Sequence, residues 1–222
     1  MTSTTTTPRE SGSRTITAPP GRGCLARDNP FASHRWTGMR YQFLTGDWEK
    51  LLAQLKVQQG RGAIVGSKGT GKTTLLREIA QHLESRGAAA HLLSFRSEAH
   101  RLTPRTLATL RSDFRPGDGL LVDGAEQLGR RDWWRLKSLG GMAGYFLITS
   151  HRPGLLPTLH QATTSSELLA DIVARLLGCD LETARSIAAA PFHEHDGNLR
   201  LALRELYDRC ASGQLPLARQ RS

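Results

Sequence analysis

Short runs of consecutive apolar residues alternate along this chain with longer stretches in which apolar residues recur every three or four positions. The short runs fall at 63–65, 91–95, 120–123 and 145–149. They lack the in-out alternation of a half-exposed strand, so they predict strands buried on both faces. Between them, residues 72–85, 103–113 and 132–139 have helical spacing, and a further helix over 48–58 comes first. Asp47 stands where an N-cap is needed for that helix, Leu51, Leu52 and Leu55 share one of its faces, and Gly60 lies beyond its end. A fifth short strand is expected within 156–161. Strands that alternate with helices in this way call for right-handed crossovers and a parallel sheet with helices on both sides. After Thr163 the strand pattern stops and three helical stretches follow, at 165–177, 181–190 and 199–210, with Gly178 and the segment 191–197 between them. The expected fold class is α/β, a parallel sheet core covered by helices and followed by a small helical lid subdomain.

Composition refines the domain picture at the ends. Residues 1–30 are rich in Thr, Ser, Pro, Gly and Arg and nearly free of apolar side chains, too few to offset the entropy of ordering. The expected organisation is a disordered tail over 1–30, the α/β core over 31–162, the helical lid over 163–211 and a flexible basic tail over 212–222. A length of 222 residues suits one domain with a small appendage. The formal net charge of +10 favours anionic partners, with nucleotides, nucleic acid and acidic membrane surfaces all eligible. Arg9, Arg14, Arg22, Arg27, Arg219 and Arg221 place part of that charge in the tails. No stretch approaches the ~20 apolar residues of a bilayer span, so no membrane role and a cytoplasmic location are expected. Cys24, Cys179 and Cys210 are far apart in sequence and make no metal-ligand spacing, which fits reduced structural thiols.

Gly66, Ser67, Lys68, Gly69, Thr70, Gly71, Lys72 and Thr73 together spell G-x-x-x-x-G-K-[ST] between a strand pattern and a helix pattern that opens with Thr74. Such a loop turns successive backbone N–H groups and a helix N-terminus toward phosphate oxygens. The glycines permit backbone angles and approaches that a Cβ would obstruct. The expected ligand is a nucleoside triphosphate, with Lys72 at the β- and γ-phosphates and the Thr73 hydroxyl on Mg2+. Asp123 ends the strand about fifty residues later, and its carboxylate is the expected second metal ligand. Gly124 follows it, where many ATPases carry the glutamate that activates water. Glu126 is then the nearby carboxylate available as general base, with Gln127 as a water-positioning side chain; the other reading of Glu126 is a solvated acid at a helix start. No lysine is followed two residues later by Asp, so the guanine-reading N-K-x-D element is missing and ATP is preferred to GTP.

Asp123-Gly124-Ala125-Glu126-Gln127-Leu128 resembles the second nucleotide motif of the STAND and NACHT branch of AAA+-type P-loop ATPases. Leu147-Ile148-Thr149-Ser150-His151-Arg152-Pro153 resembles their sensor strand, with His151 inserted before the arginine. Gly197-Asn198-Leu199-Arg200-Leu201-Ala202-Leu203 is similar to the sensor-two helix of AAA+ and initiator-type ATPases. The set also looks like a group of short bacterial AAA-type ATPases with DGxEQL, TSH and GNLR segments. The resemblance implies that Thr149 or Ser150 senses the γ-phosphate, that His151 or Arg152 takes the place of the family arginine, and that Arg200 reaches the nucleotide from the lid. Without it, Arg200 is a solvent-facing residue on a helix capped by Asn198.

Three functions fit: a Mg-ATP-driven ATPase or switch, a small-molecule kinase, and a DNA-associated ATP-binding module. A homo-oligomer or a protein partner is implied by the first, with Arg130, Arg131 or Arg152 as arginine finger. The basic, aromatic run from Arg130 to Arg135 reads either as packing of Trp133 and Trp134 on the sheet or as a single-strand contact. His193, Glu194, His195 and Asp196 read as a polar loop rather than a metal site.

Overall fold

The computed structural model describes residues 24–95 and 102–215; most of the expected N-terminal tail and of the basic C-terminal tail lie outside the described residues. Five parallel strands form one sheet: β1 (Arg61–Val65), β2 (Ala90–Ser94), β3 (Gly119–Asp123), β4 (Tyr145–Ser150) and β5 (Thr158–Gln161), in the order β2-β3-β4-β1-β5. Helices α2 (Trp48–Val57), α3 (Lys72–Ser85), α4 (Pro104–Asp113) and α5 (Arg130–Met142) cover it, after a single turn of helix α1 (Ser33–Trp36). The expected α/β class with a helix-covered parallel sheet is therefore the observed one.

The topology fixes which face each helix takes. From β1 the chain crosses to the far edge at β2, then returns through β3 and β4. Right-handed crossovers in opposite directions place their helices on opposite faces. Accordingly Leu75, Leu76 and Ile79 of α3 pack with Leu51 and Leu55 of α2 over Ile64, Leu121 and Leu147. Leu107 and Leu110 of α4 join Leu136 and Leu139 of α5 over Ala63, Val65, Leu120, Val122, Phe146 and Ile148. In β1, β3 and β4 alternate positions thus bury opposite faces, which is why their sequences read as unbroken apolar runs. Strand β2, also expected to be buried on both faces, is instead an edge strand with no fully buried residue, and Leu92 is 39% exposed. Gly140 lets α5 sit close, because a Cβ there would meet the Phe146 ring at 2.5 Å. The Arg61 guanidinium donates to the carbonyls of Gly141, Ala143 and Gly144 and so satisfies the end of α5.

Helices α6 (Ser166–Leu177), α7 (Leu181–Glu194) and α8 (Leu199–Ala211) form the subdomain that follows the sheet. Leu169, Val173, Ala184, Ala188, Ala202 and Leu206 make its core, with Phe31 packed among them. Two residues expected in the tail take part in this packing: Cys24 lies against the helical cluster, and Asn29 is buried, donates to the Tyr207 carbonyl and accepts from the Phe31 N–H, while residues 25–28 are exposed. One satisfied asparagine and the apolar residues after it anchor a segment that composition alone assigns to solvent. Helix α7 also runs past its expected end at Ala190, through Pro191 to Glu194. Proline forfeits one backbone bond, and burial of its ring among the helices of this subdomain accompanies the loss.

Candidate functional site

Five helices start with a side-chain cap: Asp47, Thr103, Ser165, Asp180 and Asn198 each accept a backbone N–H three residues on. Helix α3 does not. It begins after Gly71, whose backbone is left-handed, with no side-chain cap, so its first N–H groups are left for another acceptor. That terminus sits at the carboxyl ends of the strands, between β1, whose connection leaves toward β2, and β4, whose connection leaves the other way to β5. Parallel sheets bind ligands at such a switch point.

The loop from Gly66 to Lys72 closes on itself. The Lys72 ammonium donates to the Gly66 and Ser67 carbonyls, both at 2.7 Å, and the Thr70 hydroxyl donates to the Ser67 carbonyl. Burial lowers the Lys72 pKa; Glu126 and Asp123 act in the opposite sense, and Arg200 adds to the lowering. Arg200 is exposed on the first turn of α8, yet close enough for its charge to be felt at Lys72. Ser67 and Lys68 are exposed at the crest of the loop, and Thr74 is half-buried in the first turn of α3. Gly69, with φ +81°, meets the helical subdomain: a Cβ there would stand 1.9 Å from Asn198 Oδ1. The same Asn198 caps α8, and the Thr164 hydroxyl donates to the Gly197 carbonyl beside it. The third helical segment is thereby seated on the loop's crest.

Strand register brings the acidic end of β3 to this loop. Val122 pairs with Ile148 and Ile64 with Thr149, so Asp123 stands beside Thr149. The Thr73 hydroxyl lies 2.9 and 3.0 Å from the two Asp123 carboxylate oxygens. The Thr149 hydroxyl donates to Asp123 Oδ1 at 2.7 Å and accepts the Gly124 N–H at 2.8 Å. Thr149, buried and engaged twice, therefore orients the carboxylate and lies behind it. Ser150, the other residue of the expected sensor, accepts the Arg152 N–H and donates to the Arg152 carbonyl. A carboxylate and a hydroxyl oxygen side by side are hard donors of the type that hold Mg2+ together with waters and phosphate oxygens. Among the described residues no cluster of three or more His, Cys, Asp or Glu could hold a metal ion. Of the segment 193–196, His195 lies 2.7 Å from Glu205 and Glu194 pairs with Arg209, which also pairs with Glu205, while His193 is exposed at the end of α7.

After Asp123 the chain turns through Gly124, φ +81°, into one 3-10 turn over Ala125–Gln127. A Cβ at Gly124 would lie 2.2 Å from the Phe95 carbonyl, so no side chain fits directly after the acidic residue, and the glutamate arrives two positions later. Glu126 Oε1 lies 3.1 Å from His151 Nδ1, while Oε2 is buried without a protein partner. His151 has its pKa lowered, by burial first; Glu126 opposes this, and Lys72 and Lys68 reinforce it. Lys68, Lys72, Asp123, Glu126 and His151 thus share one electrostatic neighbourhood. Gly124→Ala should destabilise the fold by about 1–3 kcal/mol, through left-handed strain and the carbonyl clash; a thermal melt unchanged from wild type would contradict this geometry.

Sequence reasoning did not find Tyr41 or His160. The Tyr41 ring lies against Gly71, its hydroxyl is 2.9 Å from His160 Nε2, and its backbone N–H donates to the Glu78 carboxylate. Burial pushes the Tyr41 phenol up to about 12. Beside this contact a groove of about 450 Å3 runs along α3, lined by residues including Met39, Arg40, Thr74, Arg77 and Gln81. Arg130, Arg131 and Arg152 are all exposed; the first two open α5, and the third follows β4.

No family model matches the chain, and no curated protein matches it. Among solved structures, the chain is similar to a Thermotoga maritima RuvB T158V chain, with 20% identity over 71% of this chain and a TM-score of 0.48. The likeness spans 58% of that structure's chain.

Proposed function

We propose that this chain binds Mg-ATP in the loop from Gly66 to Thr74 and hydrolyses it, as a nucleotide-driven switch of the AAA+/STAND type. The observation that carries the reading is the meeting of Thr73 with both oxygens of Asp123, beside Lys72, at the uncapped start of α3. Lys72 supplies charge to the β- and γ-phosphates after leaving the loop carbonyls that now hold it. Thr73 and Asp123 would hold Mg2+, which when bound neutralises phosphate charge and polarises the phosphorus. Thr149 keeps the Asp123 carboxylate turned toward Thr73. Glu126 accepts a proton from water at Oε2, the oxygen without a protein partner, while His151 holds Oε1 and fixes its direction. Arg200 approaches from the helical subdomain, which acts as a lid through the Asn198 contact with Gly69.

The missing N-K-x-D element favours ATP over GTP. In this reading the α/β core runs over 31–162 and the helical lid over 163–211, with Phe31 and Leu215 packed against the lid. A homo-oligomer would let Arg130, Arg131 or Arg152 serve a neighbouring site. Phosphate release by the full chain with Mg-ATP and no added acceptor is the expected result. Release only when a small-molecule acceptor is present would replace the hydrolase by a kinase. Asp123→Asn should lose the gain in ATP affinity that Mg2+ confers, roughly 1.4 kcal/mol or more, tenfold in Kd. Titrations with and without Mg2+ measure it, and an undiminished magnesium effect would remove Asp123 from the metal.

A further inference from the structure

The two tryptophans of α5 have opposite fates. Trp133 stacks on Phe146 with ring centroids 6.1 Å apart, whereas Trp134 is 64% exposed and Met142 61%. Among the described residues Trp134 is the only aromatic that counts as an exposed large hydrophobic. The Lys137 ammonium lies over its ring, 5.4 Å from the centroid. Arg130, Arg131, Arg135 and Lys137 share the helix with one carboxylate, Asp132, which pairs with Arg135. Among the described residues no carboxylate pairs with Arg130, Arg131 or Lys137.

The placement of the arginines breaks a local rule. A helix start is the positive end of the dipole, and α5 has no side-chain cap there; its first turn holds one acid, Asp132, against two cations, Arg130 and Arg131, that are disfavoured at that end. Such conflicts between local preference and fold mark surfaces kept for a partner. Arg130 and Trp134 are four residues apart and Trp134 and Lys137 three, which sets them along one side of the helix. Seven residues separate Arg130 from Lys137, about 10 Å of axis, enough to place cations on both sides of the indole.

We propose that this face of α5 binds single-stranded nucleic acid, with a base stacked on Trp134 and backbone phosphates on Arg130, Arg131 and Lys137. The chemistry of the face decides the class of partner. Its apolar content is one indole and a methionine in a basic surround, too little for a stable protein interface, which needs about 800 Å2 per side. Stacking a single base requires no more than one exposed ring, and flanking cations complement a polyanion. None of these four residues belongs to the loop from Gly66 to Thr74 or to its acidic partner; Arg130 and Arg131 are shared with the arginine-finger reading, and Trp134 and Lys137 are not.

Fluorescence anisotropy of a labelled oligothymidine of about 15 nucleotides, titrated with the full chain over a range of salt, tests it. Trp134→Ala should weaken binding about tenfold with the salt slope little changed, and Trp134→Phe should recover most of the loss. Arg130→Glu/Arg131→Glu should weaken binding and lower the slope by about 1 to 2. Arg105→Glu/Arg111→Glu, the same charge change on exposed positions of α4, should cost much less. All these side chains are exposed, so unchanged melting separates lost contact from lost fold. The proposal is overturned if no salt-sensitive binding occurs, if the α4 pair costs as much as the α5 pair, or if Trp134→Ala binds like wild type. It is equally overturned if the oligonucleotide-free protein is a dimer that Trp134→Ala dissociates.

Discussion

Lys72→Ala is expected to weaken ATP binding by at least about a hundredfold, because the ammonium supplies charge-assisted hydrogen bonds worth about 1.5–3 kcal/mol each and phosphate presents more than one acceptor. The same group donates to the carbonyls of Gly66 and Ser67, so the substitution also removes their donor. Two effects must therefore be separated, a looser loop and a lost ligand. Melting temperature with and without Mg-ATP does so. Saturating nucleotide should raise the melting temperature of wild type by mass action and leave Lys72→Ala where it was. A variant that melts lower but is still raised by ATP as much as wild type would place the phosphates elsewhere.

Glu126→Gln is expected to lower phosphate release by about 10²–10⁴ while ATP affinity changes little. The amide keeps the size and polarity of the carboxylate and retains an oxygen for His151, but it has no basic oxygen to take a proton from water. Two features support a chemical role for Glu126: Gly124 has no room for a side chain beside the Phe95 carbonyl, and Oε2 of Glu126 faces no protein donor. Release by Glu126→Gln at the wild-type rate, with ATP bound equally well, would remove Glu126 from catalysis and leave the binding site standing.

The parts of this architecture that rest on local pattern were legible in the chain. Continuous apolar runs mark β1, β3 and β4, which are buried on both faces, but the run that became β2 lies at the sheet edge, a position only the strand order decides. Asp47 and Asn198 cap the helices expected of them. The strand, loop and helix around residues 66–73 follow from the spacing of glycines and Lys72. The rest depends on contacts between distant residues, which no window of sequence contains. Asn198 sits on Gly69, Tyr41 meets Gly71 and His160, and Asn29 is buried beside Tyr207. The Thr149 hydroxyl, expected at the γ-phosphate, is held by Asp123 and the Gly124 N–H, a result of strand register alone. Trp133 and Trp134 are identical in composition terms, yet helix phase gives one to Phe146 and the other to solvent. Helix α7 continues past its expected end at Ala190, and Pro191 lies buried inside it at the cost of one backbone bond.

The electrostatics of the site make a single demand. Lys72, Lys68 and Arg200 bring positive charge to a place where Asp123 and Glu126 supply negative charge, and burial already disfavours the charge on Lys72. A polyanion that enters there with its cation relieves that strain and gives the uncapped amides of α3 their acceptors.

Calorimetric titration of Mg-ATP into the full wild-type chain tests that demand most directly. A saturable, single-site uptake that vanishes in Lys72→Ala is the result this arrangement predicts. Folded wild-type protein that takes up neither Mg-ATP nor Mg-GTP would contradict it.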